Sequence, residues 1–168
     1  MKKSYVQKQW FQGVLTMHER SLLNYAYSLT GNKEQAEEIV QSAFIKLWKE
    51  NFLSIQDYVV PWLYRVCRNE AIDYFRKGQK MEEFDEQKNN TLSEFFFFED
   101  KIEKNIIFKI ISGFSAEHQE VFILKFQEGY NNREISQITG LSSSNVGIIL
   151  FRGIKKIQEL LKLEVEDV

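Results

Sequence analysis

The stretch that decides the fold is residues 61–77, which read Pro61-Trp62-Leu63-Tyr64-Arg65-Val66-Cys67-Arg68-Asn69-Glu70-Ala71-Ile72-Asp73-Tyr74-Phe75-Arg76-Lys77. At about 100° per residue, a helix of this sequence has an apolar arc of about 120°, formed by Leu63, Tyr64, Cys67, Ala71, Tyr74 and Phe75. The opposite side carries Arg65, Arg68, Asn69 and Arg76. A proline at the start suits the first turn of a helix. The stretch predicts a helix that buries one face and offers guanidinium groups and one amide to solvent.

The composition is that of a folded protein, with its charge unevenly distributed. Of the 168 residues, 43% are hydrophobic and 14% are aromatic, which is ample for a packed core. The net charge is −2 and the pI is about 5.8, values that argue against a non-specific polyanion binder. Residues 1–80 nevertheless carry +4, residues 81–100 carry −6, and residues 101–168 are neutral. The charge of each segment is therefore more informative than the sum.

Helical periodicity dominates the chain, and strand alternation is absent from it. We predict an all-α fold of two small helical domains joined by an acidic flexible linker. Helices are expected over about 5–29 and over 33–49, the second capped by Asn32, followed by a loop at 51–57 and the helix of 61–77. These elements form a first domain, residues 1–80. The linker is 81–100; its aromatic run either docks on a neighbouring domain, begins the next helix or contacts a partner: Phe95, Phe96, Phe97 and Phe98.

The second domain, residues 101–168, is predicted to contain a helix-turn-helix. Helices are expected over about 101–112 and 116–128, the latter capped by Ser115 and stopped by Gly129. Asn131 and Glu134 have capping-box spacing, and Gly140 ends that helix after two turns. Ser142 or Ser143 then caps a last helix over about 144–161. Two helices separated by a short glycine-containing turn are typical of DNA-binding domains.

The last helix divides into two faces on the helical wheel. The predicted buried stripe is Val146, Leu150, Ile154, Ile157 and Leu161. The residues predicted to point outward are Asn145, Ile148, Arg152, Lys155 and Lys156. Two glycines, Gly147 and Gly153, interrupt the helix, and each costs about 1 kcal/mol relative to alanine.

Several classes of protein are excluded by what the sequence lacks. A single cysteine rules out an intrachain disulfide framework and a cysteine-rich zinc site. His18 and His118 lie far apart, and no phosphate loop or nucleophile motif is present, so we expect no metal, no cofactor and no enzyme activity. No apolar run reaches the length of a membrane span and no signal peptide is visible. These features predict a cytoplasmic protein without membrane insertion.

Three patches of the sequence together resemble the extracytoplasmic-function (ECF) sigma factors of bacterial RNA polymerase: residues 23–32 with 36–48, residues 62–76, and residues 117–152. The similarity covers roughly residues 10–80 and 101–162. It implies a factor that binds core RNA polymerase and directs promoter recognition, promoter melting and transcription initiation. An anti-sigma factor is a further candidate partner that the resemblance implies.

The resemblance also implies roles for particular residues of the first domain. The family's clamp-binding helix presents an acid and a glutamine to the polymerase, here Glu38 and Gln41, while an adjoining acidic position is Ser42. Asn69 matches the asparagine that reads the melted minus-ten element, and an amide can pair with an adenine edge. Phosphates of that element would be held by Arg65, Arg68, Arg76 and Lys77. The family's pocket for an extruded base lies at the 52–57 loop, which here lacks the common glycine and arginine.

In the second domain, this chain departs from the family pattern. The usual Thr-Val-Lys-Ser-Arg near the start of the last helix is Asn145-Val146-Gly147-Ile148-Ile149 here. The residues expected to contact the minus-35 element are Ser143, Ser144, Asn145, Ile148, Arg152, Lys155 and Lys156, with Ile148 placed against a thymine methyl. Two alternatives stay open at this point. One is a sigma-like protein that binds polymerase without directing initiation, and the other is a stand-alone helix-turn-helix regulator.

Overall fold

The computed structural model describes residues 4–79 and 103–166, and within these two ranges the regular secondary structure is entirely helical. The chain divides into two compact units, Met1–Asp85 and Glu86–Val168. The predicted all-α, two-domain fold is confirmed. The expected acidic linker at 81–100, with its four phenylalanines, lies outside the described residues.

The first unit contains four helices in its described part. Helix α1 is Tyr5–Thr30, α2 is Lys33–Lys49, α3 is Phe52–Ile55 and α4 is Val59–Gln79. Helix α1 is capped at its C-terminus by Gly31, whose φ of 63° lies in the left-handed region that glycine favours. The side chain of Asn32 accepts a hydrogen bond from the Gln35 amide and so caps α2 as predicted.

The predicted loop at 51–57 is wrong in one respect, because it contains the single-turn helix α3. The Asn51 side chain caps this turn by accepting from the Leu53 amide, and Ile55 is buried beneath it. One turn is too short to show a hydrophobic period, which is why the sequence pattern missed it. Pro61 is the third residue of α4, where its missing N–H removes no intrahelical hydrogen bond.

The core of the first unit lies where α1, α2 and α4 meet. Tyr25 of α1 and Tyr64 of α4 are fully buried, with ring centroids 4.9 Å apart. The other buried side chains of these three helices include small and aliphatic ones: Leu22, Ala26, Ile39, Val40, Ala43, Leu47, Leu63, Cys67 and Ala71. The 100°-per-residue pattern in each helix thus corresponds to one shared core.

The apolar arc predicted for α4 is buried only as far as Ala71. Tyr74 and Phe75, which the wheel places on the same arc, are exposed and pack against each other, with centroids 5.4 Å apart. Residues 72–78 are all exposed, so no described helix covers the last turns of α4. The arc fails there because a helical wheel gives the direction of a side chain but not the length of its partner helices.

The second unit contains α5 (Glu103–Ser112), α6 (Ala116–Phe122), α7 (Asn132–Thr139) and α8 (Ser143–Glu166) in its described part. Ser115 caps α6, and the predicted capping box of Asn131 and Glu134 is present in full. Gly140 ends α7 with a φ of 80°. The side chain of Ser142, rather than Ser143, caps α8 by accepting from the Asn145 amide.

The helix predicted over 116–128 is wrong in its second half, because α6 passes into a π-helical turn at Ile123–Gln127. The Glu128 amide donates to the Ile123 carbonyl five residues back, at 3.1 Å. Five consecutive residues, 120–124, are buried where α6 passes into this wider turn, which an α-helix with one buried face does not allow.

The predicted buried stripe of α8 is only partly right, because Ile157 and Leu161 are half-buried and Ile154 is exposed. Val146 and Leu150 are buried as expected, but Ile149 and Gly153 complete the buried face, whereas Ile154 is 39% exposed. The stripe follows Gly153 because its missing side chain allows a close approach to the Phe122 ring: a Cβ there would lie 2.5 Å from two ring carbons. Glycine has no side chain to count on a helical wheel, so the hydrophobic pattern pointed to Ile154 instead.

Candidate nucleic-acid interface

The exposed face of α4 brings together three of the predicted site residues. Arg65, Asn69 and Arg76 are exposed, and their spacing of four and seven residues places them along one side of the helix. Lys77 is exposed nearby, whereas Arg68 is half-buried and has an interaction partner. The face therefore offers one amide between two guanidinium groups, separated by about 6 Å and 10 Å along the helix axis.

Arg76 is oriented by its neighbour Asp73, one turn earlier on α4. Its Nη1 lies 3.7 Å from the Asp73 carboxylate, and both side chains are well exposed. An exposed pair of this kind contributes little to stability. The guanidinium group therefore stays available to a phosphate at small energetic cost.

Ile72 lies on this same face and was missed by the sequence analysis. It follows Asn69 by three residues and precedes Arg76 by four, and its side chain is exposed. The signal that could have found it is this spacing, which sets an aliphatic group among the polar ones.

A polar cluster joins α2 to α4 beside this face. The Ser42 hydroxyl donates to the Glu70 carboxylate at 3.1 Å, and the Lys46 ammonium donates to the same carboxylate oxygen. The hydrogen bond from Lys46 is the main cause that lowers the pKa of Glu70, with the Ser42 hydroxyl adding to it against the effect of partial burial. The cluster fixes α4 against α2, so Ser42 has a structural partner instead of a free outward position.

The outer face of α2 carries the two residues predicted to contact polymerase. Glu38 and Gln41 are both exposed and lie one turn apart. Ile45, one turn further on, extends this row and is exposed as well. The family resemblance implied no role for Ile45. An acid, an amide and an aliphatic side chain in one row form a mixed surface suited to a protein partner.

In the second unit, α7 and α8 form the predicted helix-turn-helix. The Ser136 hydroxyl donates to the Leu141 carbonyl at 2.6 Å, and the Leu141 amide donates to the Thr139 hydroxyl at 3.2 Å. Buried side chains from both helices close the corner: Ile135, Ile138, Val146 and Ile149. The turn is thus held by local hydrogen bonds and by a shared core.

The predicted contacts on α8 are mostly placed together. Ser143, Ser144 and Asn145 are exposed in the first turn, and Ile148, Arg152 and Lys155 are exposed on the turns that follow. Phe151 lies among them, 71% exposed, and was missed by the sequence analysis. Lys156 points elsewhere, with its ammonium group 5.2 Å from the centre of the Phe114 ring in a cation–π contact.

The remaining titratable candidates have no reactive setting. Burial raises the pKa of the Cys67 thiol to about 12, so it stays protonated at neutral pH. Burial lowers the pKa of His18. In residues 4–79 and 103–166, no three His, Cys, Asp or Glu side chains come close enough to hold a metal ion. None of the helices in these ranges is long and apolar enough to cross a membrane.

Two family models match this chain in order. Sigma-70 region 2 matches residues 14–93, which include the exposed faces of α2 and α4. Sigma-70 region 4 matches residues 106–157, which include the helix-turn-helix. Together these matches cover most of the chain. The class of protein is therefore a sigma-70-type initiation factor, and a stand-alone helix-turn-helix regulator would leave the first unit unexplained.

Relatives along the whole length give the narrower family. The chain is 25% identical over 162 residues to the ECF RNA polymerase sigma factor SigM of Bacillus subtilis, covering 92% of this chain and 96% of SigM. It is 26% identical over 168 residues to SigV of the same organism, covering 99% of each. It belongs to the ECF sigma factor family and is an alternative sigma factor that binds core RNA polymerase and promoter DNA to direct transcription initiation.

Two solved structures share the fold. The sigma factor RpoE of Bartonella quintana, solved with the anti-sigma factor NepR, has a TM-score of 0.64 at 22% identity and covers 90% of this chain and 96% of its own. CnrH, solved with the cytosolic domain of CnrY, has a TM-score of 0.57 at 18% identity, covering 91% and 88%.

Proposed function

We propose that the exposed face of α4 captures the melted strand of the minus-ten element during initiation. The observation that carries this proposal is the placement of Asn69 between Arg65 and Arg76 on one exposed side of α4. An amide both donates and accepts, so it can pair with the edge of an unstacked base. Guanidinium groups on either side attract the phosphates that flank such a base. Lys77 adds positive charge at the same end.

Arg68 has a different part in this proposal from the one its sequence position implies. Its side chain is half-buried and already has an interaction, so less of it is open to a phosphate than of the exposed Arg65 and Arg76. The exposed Ile72 is a better candidate for a base contact, because an aliphatic group beside Asn69 can pack on a base that has left the stack.

We infer that Glu38, Gln41 and Ile45 form the surface that docks on core polymerase. The Ser42–Glu70–Lys46 cluster couples this surface to the α4 face, since α2 and α4 are joined through one carboxylate. A partner that binds α2 therefore also positions the exposed face of α4.

For the second unit, we infer that the N-terminal half of α8 enters the major groove of the minus-35 element. The groove admits an α-helix, and Ser143, Ser144 and Asn145 stand at the end that enters first. Arg152 and Lys155 follow on the exposed side and supply phosphate contacts. Lys156 contributes charge nearby while its ammonium group rests on Phe114.

We further infer that the protein acts in the cytoplasm, where core polymerase works, and that the bond-making chemistry belongs to the polymerase. RpoE and CnrH were each solved with a protein bound to them, NepR and the cytosolic domain of CnrY. By analogy this chain has an anti-sigma partner. Such a partner must lower transcription in proportion to its amount and prevent the chain from binding core.

The test is run-off transcription with core polymerase on a library of genomic fragments. We expect discrete transcripts with the wild-type chain and their loss or redistribution with Asn69→Ala. Gln12→Ala removes an exposed amide from α1 and is the matched control, with unchanged transcripts expected. If Asn69→Ala gives the wild-type set of transcripts at wild-type yield, Asn69 does not read the promoter. If the chain binds core and no promoter opens, the protein occupies polymerase without directing initiation.

A further inference from the structure

The exposed side of α8 carries two large apolar side chains where polar groups would be expected. Ile148 is 47% exposed and Phe151 is 71% exposed, and their spacing of three residues makes them neighbours on the helix surface. A single exposed hydrophobic residue is ordinary, but an adjacent pair on the second helix of a helix-turn-helix indicates a surface that binds another molecule.

The packing of the second unit does not account for this pair. The buried face of α8 is formed by Val146, Ile149, Leu150 and Gly153. Phe151 follows Leu150 by about 100° and Ile148 precedes Ile149 by the same angle, which turns both toward solvent. The pair can therefore be changed without opening the core.

The surroundings of the pair favour DNA as the occupant over an apolar protein groove. Ser144 and Asn145 precede the pair, and Arg152 and Lys155 follow it, all of them exposed. This polar and cationic frame complements phosphates on both sides of a groove. Within the major groove, the C5-methyl of thymine is the apolar group that an aliphatic or aromatic side chain can contact.

We propose that Ile148 and Phe151 form an apolar ridge that reads thymine methyl groups at neighbouring base steps of the minus-35 element. Three residues advance the helix by about 4.5 Å, and successive base pairs are about 3.4 Å apart. With α8 lying along the groove, two side chains at this spacing are close enough to contact thymines at adjacent steps. The inference rests on the proposed role of α8 and names Phe151 as a specificity-determining residue.

The experiment replaces thymine by deoxyuridine, which removes the methyl group and leaves every hydrogen bond unchanged. Synthetic templates carry the strongest promoter found in the run-off assay, with one thymine of the minus-35 element replaced at a time on either strand. With the full chain and core polymerase, we expect transcription to fall about three- to fivefold at two neighbouring positions, the contribution of one buried methyl group.

The matched variants separate this reading from a general loss of binding. Phe151→Ala should lower transcription on the thymine template and show no further loss when its deoxyuridine is introduced. Ile148→Ala should do the same at the adjacent step. Ile154→Ala truncates an exposed side chain on the flank of the same helix and should keep the full sensitivity to deoxyuridine. Circular dichroism checks that each variant is folded.

Each contrary outcome overturns a distinct statement. Promoter-specific transcripts with no effect of deoxyuridine contradict the ridge and leave the sigma-factor role intact. An undiminished deoxyuridine effect in Phe151→Ala removes Phe151 from base reading. If the variants lose affinity for core polymerase without DNA, the pair contacts protein, and the proposal is wrong. Failure of the wild type to give any transcript contradicts the proposed function and the ridge that rests on it.

Discussion

The two glycines of α8 should respond in opposite ways to the same substitution. A Cβ at Gly153 would lie 2.5 Å from two carbons of the Phe122 ring and 3.2 Å from Phe114. A Cβ at Gly147 would meet its nearest neighbour, an Asn132 side-chain nitrogen, at an ordinary 3.7 Å. The Phe122 ring has little room to retreat, because it is buried and contacts the rings of Phe114 and Phe126 at 5.6 Å and 5.4 Å.

The change in stability has two parts: a gain in helix propensity at both glycines and a cost of overpacking at Gly153 alone. Alanine in place of a helical glycine gains about 1 kcal/mol at either position. Overpacking a buried site costs about 1–3 kcal/mol, and this applies at Gly153 alone. Gly147→Ala should therefore stabilise the second unit by up to about 1 kcal/mol. Gly153→Ala should be about 1–3 kcal/mol less stable than Gly147→Ala, since the common gain cancels in the comparison.

The assay is denaturant unfolding of the full chain, followed by two signals. All three tryptophans, Trp10, Trp48 and Trp62, lie in the first unit, so their fluorescence reports that unit alone. Far-ultraviolet circular dichroism reports helices in both units. The part of the dichroism transition that tryptophan fluorescence does not follow belongs to the second unit. Equal stability of the two alanine variants would refute the argument that Gly153 is required by close packing.

Three further outcomes are expected. Glu70→Gln should destabilise the first unit by about 0.5–1 kcal/mol at neutral pH. The pKa of Glu70 is lower in the folded protein than its usual value of 4.5. The stabilisation by the Glu70 carboxylate is therefore present above pH 4.5 and is lost as the pH falls through the lower folded pKa. Tryptophan-detected unfolding against pH checks this, and parallel profiles for wild type and variant would contradict it. Cys67 should resist a thiol reagent in the native protein at mildly alkaline pH and react on unfolding, since its thiol is buried with a pKa of about 12; fast stoichiometric labelling of the native chain would exclude this. Arg65→Gln should reduce the slope of log affinity against log salt by about 0.7 for the melted strand, measured with holoenzyme on a pre-melted promoter, and an unchanged slope would mean that Arg65 contacts no phosphate.

Local sequence signals predicted most of the helices and several of their ends. Asn32, the Asn131–Glu134 capping box and Gly140 act through bonds to residues within four positions, so their roles can be read from short windows of sequence. The polar face of α4 was also predictable, because Arg65, Asn69 and Arg76 need only the helical period to share a side. Their exposure is confirmed, whereas their roles on DNA remain predictions.

What the sequence could not supply depends on partners distant along the chain. Ser42 and Lys46 bind Glu70 although they are 28 and 24 residues away in sequence, and no local pattern predicts that pairing. The exposure of Tyr74 and Phe75 depends on where the neighbouring helices end. Gly153 was interpreted as a weak point of α8, although its close contact with Phe122 makes it part of the core.

The hydrogen bonds at the corner of the helix-turn-helix bear on how the second unit meets its target. The Ser136 and Thr139 hydroxyls already satisfy the Leu141 carbonyl and amide, and Gly140 adopts its left-handed conformation without strain. Binding of the second unit to a partner would therefore cost little conformational entropy at this corner, because the angle between α7 and α8 is already fixed in the free protein. On the proposed role of this unit, its association with a duplex would be close to a rigid-body event on the protein side, and the deformability of the DNA would supply the adjustment.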